Sequence, residues 1–311
     1  MKKKFSFFLF LNVIGAFLVG CKQSAAIKEY DTPQKGTIYI SVDESFRPVI
    51  EQQIQVYELS YPGTHIVASY KTEAECFKDF FKDSLNRMII VGRSLYENEE
   101  RYLIDSLHYN PGCNAVASDA IAVIVNSKSP DSLFTLEDLR SGLLGKNDNR
   151  QTFVFDGLKT TSTMRFIQDS VLKGQSFNPN VVKTTSNSQE LINYVSSHEN
   201  ASGFVGISWL GNPEDSVQRK YLDSVKIGYI KCEVCKDNPF VKPVQESMIT
   251  RRYPLVRGLY YINKENYMGL GSGFVSFLKY ERGQLIFKRS YLGPVMDFEI
   301  RRVQINQTSK N

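Results

Sequence analysis

The chain has 311 residues, 23% of them charged, with a formal net charge of +5. That length holds one large domain or two of ordinary size, and the composition is that of a globular protein. No arginine-rich run or aromatic-basic motif accompanies the positive balance, so nucleic-acid binding is excluded as the primary reading.

The first elements belong to export. Lys2, Lys3 and Lys4 precede an apolar stretch from Phe5 to Val19, which ends in Leu18-Val19-Gly20-Cys21. A basic start, a short apolar core and small residues at the end form a secretory signal, and the run is short for a membrane span of roughly 20 apolar residues. The cysteine at the cleavage point resembles the bacterial lipobox, which implies a signal peptide over 1–20 and lipidation of Cys21. Two or more acyl chains anchor stably. The mature chain would keep 291 residues and, with three lysines removed, a formal charge of only +2. Residues 21–35 read as a polar tether.

Gly36–Val42 predicts a strand, and Val49, Ile50, Ile54, Val56, Tyr57 and Leu59 recur at mostly helical spacing. Ile66–Tyr70 is a second strand followed by a helix from Glu73 to Asn86; Met88–Val91 is a third, followed by a helical pattern to about Leu107. Asp119–Val125 is a long apolar strand, and Thr135-Leu-Glu-Asp138 starts a short helix with a capping-box pattern. Further along come a strand at Phe153–Asp156, a helix over Ser162–Lys173, a helix from about Gln189 to Ser197, and strands at Gly203–Trp209 and Lys226–Lys231. Gly258–Ile262 reads as a strand, Gly271–Glu281 as a helix, with a last segment over Gly283–Tyr291. Strands alternating with helices predict an α/β fold with mainly parallel sheets.

Cys232-Glu-Val-Cys235 has C-x-x-C spacing but lies in a polar stretch rather than opening a helix. The open readings are a local disulfide, two thiols, zinc or redox chemistry. The histidines, His65, His108 and His198, are scattered singly, so no metal or cofactor is expected. Cys76 and Cys113 could pair in an oxidising compartment.

Three strand-to-helix turns carry hydroxyls: Asp43-Glu44-Ser45-Phe46, Val91-Gly92-Arg93-Ser94, and Phe155 to Thr163, which ends in Thr160-Thr161-Ser162-Thr163 with Arg165 just behind. A helix N-terminus presents unpaired N–H groups and about half a positive charge, so each turn fits either a cap or an oxyanion. Arg93 follows an apolar strand directly and is placed to grip an oxyanion or to pair with Glu97.

These turns, in this order over most of residues 36–300, resemble the phosphate-binding proteins of ABC transport systems. The resemblance rests on Ser45-Phe46, Ile89-Ile-Val-Gly-Arg93, Asp119-Ala-Ile-Ala-Val-Ile-Val-Asn126, Thr161-Ser162-Thr163, Gly203-Phe-Val-Gly206 and Gly283-Gln-Leu-Ile-Phe287 with Gly293-Pro294. It implies a two-lobed type II binding-protein fold, with lobe one from 36–117 plus 247–305 and lobe two from 118–246. It also implies a lipid-anchored, monomeric protein of the bacterial cell envelope that passes inorganic phosphate to an ABC permease and ATPase. The implied phosphate site contains Asp43, Ser45, Phe46, Arg93, Ser94, Asp156, Thr161, Ser162, Thr163 and Arg165. The chain departs from the family pattern where an arginine usually precedes the third turn, since that zone reads Phe153-Val-Phe-Asp-Gly157. Arg93 or Arg165 would then supply the charge, and Asp43, Glu44 or Asp156 would accept the proton of a protonated phosphate. No catalytic residue is implied, because no histidine falls in the three turns and no G-x-S-x-G elbow occurs. The competing expectation is a surface or sensory protein that kept the fold and lost its ligand.

Overall fold

The computed structural model describes residues 30–147, 151–157, 161–212 and 214–298. Signal segment and Cys21 lie outside them. Strand β1 (Lys35–Asp43) runs through a 3-10 turn (Glu44–Phe46) into α1 (Arg47–Ser60), whose first turn holds Pro48 in place of an unneeded N–H. β2 (Gly63–Lys71) feeds α2 (Glu73–Lys82), and β3 (Asn86–Val91) feeds α3 (Glu97–Leu107). α2 starts where it does because Thr72 and Glu75 form a reciprocal capping box.

β4 (Gly112–Asn126) follows, then β5 (Leu133–Phe134), α4 (Leu136–Leu143), β6 (Thr152–Phe155) and α5 (Ser162–Ser170). The next elements are β7 (Val182–Thr184), α6 (Ser188–Ser197), β8 (Ala201–Gly206) and a 3-10 turn (Ile207–Trp209). The chain closes with α7 (Ser216–Ser224), β9 (Val225–Ile227), β10 (Tyr229–Lys231), β11 (Phe240–Val241), α8 (Gln245–Ile249), β12 (Val256–Asn263), α9 (Leu270–Lys279), α10 (Glu281–Arg289) and β13 (Gly293–Pro294).

The strand order is β2-β1-β3-β12-β4-β8-β6-β7, with β9 and β13 also pairing to β4. β1 is parallel to β2 and β3, and β6 is parallel to β7 and β8, as helical crossovers require. β12 is antiparallel to β3 and β4, and β4 is antiparallel to β8. β4 therefore serves both halves of the sheet: its first part pairs with β12 and Ile121–Val125 pair with β8. The stretch Ala120–Val125 is buried on both faces, which explains its unbroken apolar run.

Most elements lie where the sequence places them; the strand expected over Gly203–Trp209 ends at Gly206 and gives way to the 3-10 turn, and two further elements differ more. β4 begins at Gly112 rather than Asp119, because Gly112–Ser118 alternates partly exposed residues against β12 and lacks an apolar run. The single strand expected over Lys226–Lys231 is two. At Gly228 the chain leaves β4 and joins β5 in a three-stranded sheet, and a Cβ at Gly228 would lie 2.9 Å from the Phe134 ring. Cys232 and Cys235 form a disulfide, whereas Cys76 and Cys113 are free thiols. No helix among the described residues is long and apolar enough to cross a membrane.

Candidate functional site

The C-terminal ends of the parallel strands of both halves meet at one buried polar cluster. At the end of β1, Asp43 caps the 3-10 turn: its Oδ1 accepts from the Ser45 N–H at 3.0 Å and from the Ser45 hydroxyl at 2.7 Å. After β6, Thr161 caps α5 by accepting from Met164 N at 3.3 Å, which leaves Ser162 and Thr163 in the first turn, fully buried. The two turns touch, with Ser45 Oγ 3.2 Å from Ser162 Oγ.

Arg257 on β12 ties them together. Its Nε donates to Asp119 Oδ2 at 2.8 Å, Nη1 to Ser162 Oγ at 2.7 Å and Thr163 Oγ1 at 3.3 Å, and Nη2 to Ser45 Oγ at 3.1 Å. The guanidinium lies 4.6 Å from the centre of the Phe46 ring. Trp209 Nε1 and the Ser208 hydroxyl both donate to the Ser45 carbonyl, at 3.1 and 3.5 Å. Gly206 makes this approach possible, since a Cβ there would stand 3.1 Å from the Ser45 carbonyl oxygen.

A second ring of carboxylates surrounds the donors. Glu73, at the start of α2, accepts from Arg165 Nε at 2.5 Å and Nη2 at 3.2 Å and from the Gly92 N–H at 3.0 Å. Glu44 and Asp156 both accept from the Ser188 hydroxyl, at 2.9 and 3.0 Å, and Asp156 also accepts from Thr161 Oγ1 at 3.3 Å. Burial, then the nearby Glu73 charge, raises Asp43 to about 6. Burial, then Asp156, raises Glu44 to about 7. Asp119 and Asp156 are also raised by burial, with Arg257 opposing. A cavity of about 600 Å³ opens beside the cluster, with Asp43, Glu44, Asp156 and Thr161 in its wall and Lys71 and Lys78 among the remaining residues.

Asp43, Ser45, Phe46, Asp156, Thr161, Ser162, Thr163 and Arg165 thus come together or border the cluster. Arg93 does not join them. Its guanidinium makes a two-pronged pair with Glu99 at 2.6 and 2.8 Å and stacks on Phe77 and Tyr96, so Glu99 rather than Glu97 is its partner. The Ser94 hydroxyl faces the Cys113 sulfur at 3.3 Å. The cation at the centre, Arg257, escaped the sequence reading, as did Glu73 and Ser188. Arg257 had a signal: a charge beside the apolar run Leu259–Ile262 must be paired if buried, and Asp119 opens the other long apolar run.

Known proteins place this arrangement in a family. A family model described as a PBP superfamily domain matches residues 28–281. The chain belongs to that superfamily. A phosphate ABC transporter substrate-binding protein from Clostridium perfringens, solved with bound phosphate, superposes with a TM-score of 0.70 at 21% identity, over 84% of this chain and 100% of that one. An ABC-type phosphate transport receptor from Vibrio cholerae gives a TM-score of 0.61 at 17% identity, over 82% and 99%. The regulatory domain of MetR, a LysR family regulator from N. meningitidis, gives 0.53 at 12%, over 84% and 99%. No curated protein sequence matches the chain. The superfamily fold is the two-lobed type II arrangement, and identities this low establish that fold for the chain and no ligand.

Proposed function

We propose that the chain is a lipid-anchored, extracytoplasmic solute-binding protein of an ABC importer that captures phosphate between its lobes. The carrying observation is the convergence of Ser45 from one half of the sheet and Ser162 and Thr163 from the other on the buried guanidinium of Arg257. Hydroxyls, a helix start and an arginine are the donors an oxyanion needs, and an entering phosphate would take over contacts they now make with one another. In this reading the lobes divide near 117/118 and 246/247, and the cluster lies in the cleft between them, outside the strand ends. Glu73–Arg165 and Glu44–Ser188 then link lobe to lobe, as a closed form requires. The role proposed is binding, with no catalytic residue.

Asp43, with a pKa raised to about 6, is the acceptor for a protonated phosphate. Sulfate offers no O–H, so it leaves that acceptor unpaired at a cost of about 1–3 kcal/mol, roughly tenfold to hundredfold in affinity. Calorimetry on the protein stripped of carried-over ligand tests this, with phosphate binding and sulfate at least tenfold weaker. Equal affinities would remove the role of Asp43.

A second reading, a surface or sensory protein that lost its ligand, is favoured by the charge count: among the described residues, Asp43, Glu44, Glu73, Asp119 and Asp156 make two ion pairs, Glu73 with Arg165 and Asp119 with Arg257. Absence of binding by either anion would select it.

A further inference from the structure

The segment that enters β1 is clamped to the fold at Asp31. Its Oδ1 accepts from Arg87 Nη1 at 2.7 Å and from the Tyr267 hydroxyl at 2.8 Å. Its Oδ2 accepts from Arg87 Nη2 at 3.0 Å and from the N–H of Leu270, the first residue of α9, at 2.7 Å. Two residues on, the Pro33 carbonyl accepts from the Tyr57 hydroxyl, and a Cβ on Gly273 of α9 would stand 2.6 Å from the Pro33 ring. The clamp sits at the start of β1, whereas Asp43 and the hydroxyl cluster sit at the far end of that strand, about 26 Å away at the usual strand rise. Beside the clamp lies an apolar groove of about 410 Å³, with Pro33, Tyr61, Met268, Phe277 and Tyr280 in its wall. Tyr61 leads into the start of β2, and Arg282 at the groove donates to Ser60 at 3.1 Å, so the groove and the clamp share one end of the sheet. Met268 is 70% exposed and Tyr280 64%.

Cys21 and Asp31 are ten positions apart in the sequence, so their Cα atoms stand at most about 36 Å apart even with the chain fully extended. A lipid on Cys21 therefore keeps the Asp31 end of the fold within that distance of the bilayer, and the groove is the apolar surface this end presents. Tyrosine suits the boundary between lipid and water, with a ring for the acyl side and a hydroxyl for the headgroup side. Glu281 and Arg282 flank the groove with opposite charges, so a contact here draws on ring burial rather than on net charge. We propose that this groove docks on the interfacial layer of the bilayer that carries the Cys21 anchor, and that the Asp31 clamp sets the docked orientation. The cluster of Ser45, Ser162 and Arg257 then lies on the side away from the membrane, open to solute. This surface rests on the lipid-anchored reading above.

The test is tryptophan fluorescence on the full chain in vesicles of phosphatidylethanolamine and phosphatidylglycerol, with acylation checked by mass spectrometry. Met268→Trp and Tyr280→Trp put reporters in the groove wall, both at exposed positions. Val234→Trp, at an 80% exposed site between the disulfide-bonded Cys232 and Cys235, is the control. Trp209 is buried, and its signal is subtracted with the parent chain. Lipid brominated near the headgroup end of its acyl chains should quench the two groove reporters at least about threefold more than the control, since only a docked ring sits at headgroup depth. Added Asp31→Ala should bring that ratio towards one while the protein stays with the vesicles. Equal quenching of groove and control reporters in anchored protein overturns the docking surface and leaves the anchor standing. A chain that carries no acyl group and stays out of the vesicle fraction overturns the anchor and the surface with it.

Discussion

Arg257 and Asp119 stand directly opposite each other on neighbouring antiparallel strands, and their side chains join at 2.8 Å with 1% and 0% exposure. A pair this deep is held by register as well as charge. Removing one partner leaves the other as an uncompensated buried charge. Arg257→Ala should therefore cost about 3–5 kcal/mol in chemical denaturation, while Arg257→Met combined with Asp119→Leu should cost much less. A loss for the double variant as large as for the single one would contradict this account.

Acidity should stabilise the ligand-free protein. Asp43 and Glu44 rise from 3.8 and 4.5 to about 6 and about 7 in the fold, so between about pH 4 and 7 the folded chain binds more protons than the unfolded one. Their contribution is complete below the unfolded values and is lost as pH rises through the folded ones. Thermal melts should show the midpoint falling by several degrees from pH 5 to pH 8, and Asp43→Asn should flatten that slope. A midpoint that climbs over this range would disprove the assignment.

Arg93 provides a contrast. With its charge taken by Glu99 and its plane stacked on Phe77 and Tyr96, Arg93→Ala should lower stability by about 1–2 kcal/mol. Phosphate affinity should change less than threefold. A tenfold loss of affinity with little loss of stability would return Arg93 to the binding site.

Lipidation is testable without a ligand. Cys21→Ala should release the protein from the membrane fraction or leave the precursor unprocessed. Mass spectrometry of the native membrane-bound protein should find an acylated Cys21 at the N-terminus, and an intact Met1 there would refute it.

The fold was legible because its strands are short, β-branched and separated by helical spacing, as at Lys35–Asp43 and Asn86–Val91. The hydroxyl half of the cluster was legible for a related reason: Ser45 and Thr161–Thr163 sit at helix starts, where sequence and local structure share a signal. Arg257 was not, because its significance is a strand pairing between residues 138 positions apart. Glu73 was hidden by its position in a capped first turn, where an acid needs no further explanation. Arg93 misled because a guanidinium after an apolar strand looks the same in sequence whether it turns to the cleft or to Glu99.

The position of β12 has a consequence for how the chain is made. It lies between β3 and β4, although residues 92–255 separate it from β3 along the chain. A ribosome therefore releases β1, β2, β3 and β4 long before the strand that joins them exists. The earlier strands have a gap at the centre of their sheet until about residue 263 has emerged, and such distant pairing is slow to form. Completion of this half of the sheet thus waits on β12, after every strand of the other half has already been made.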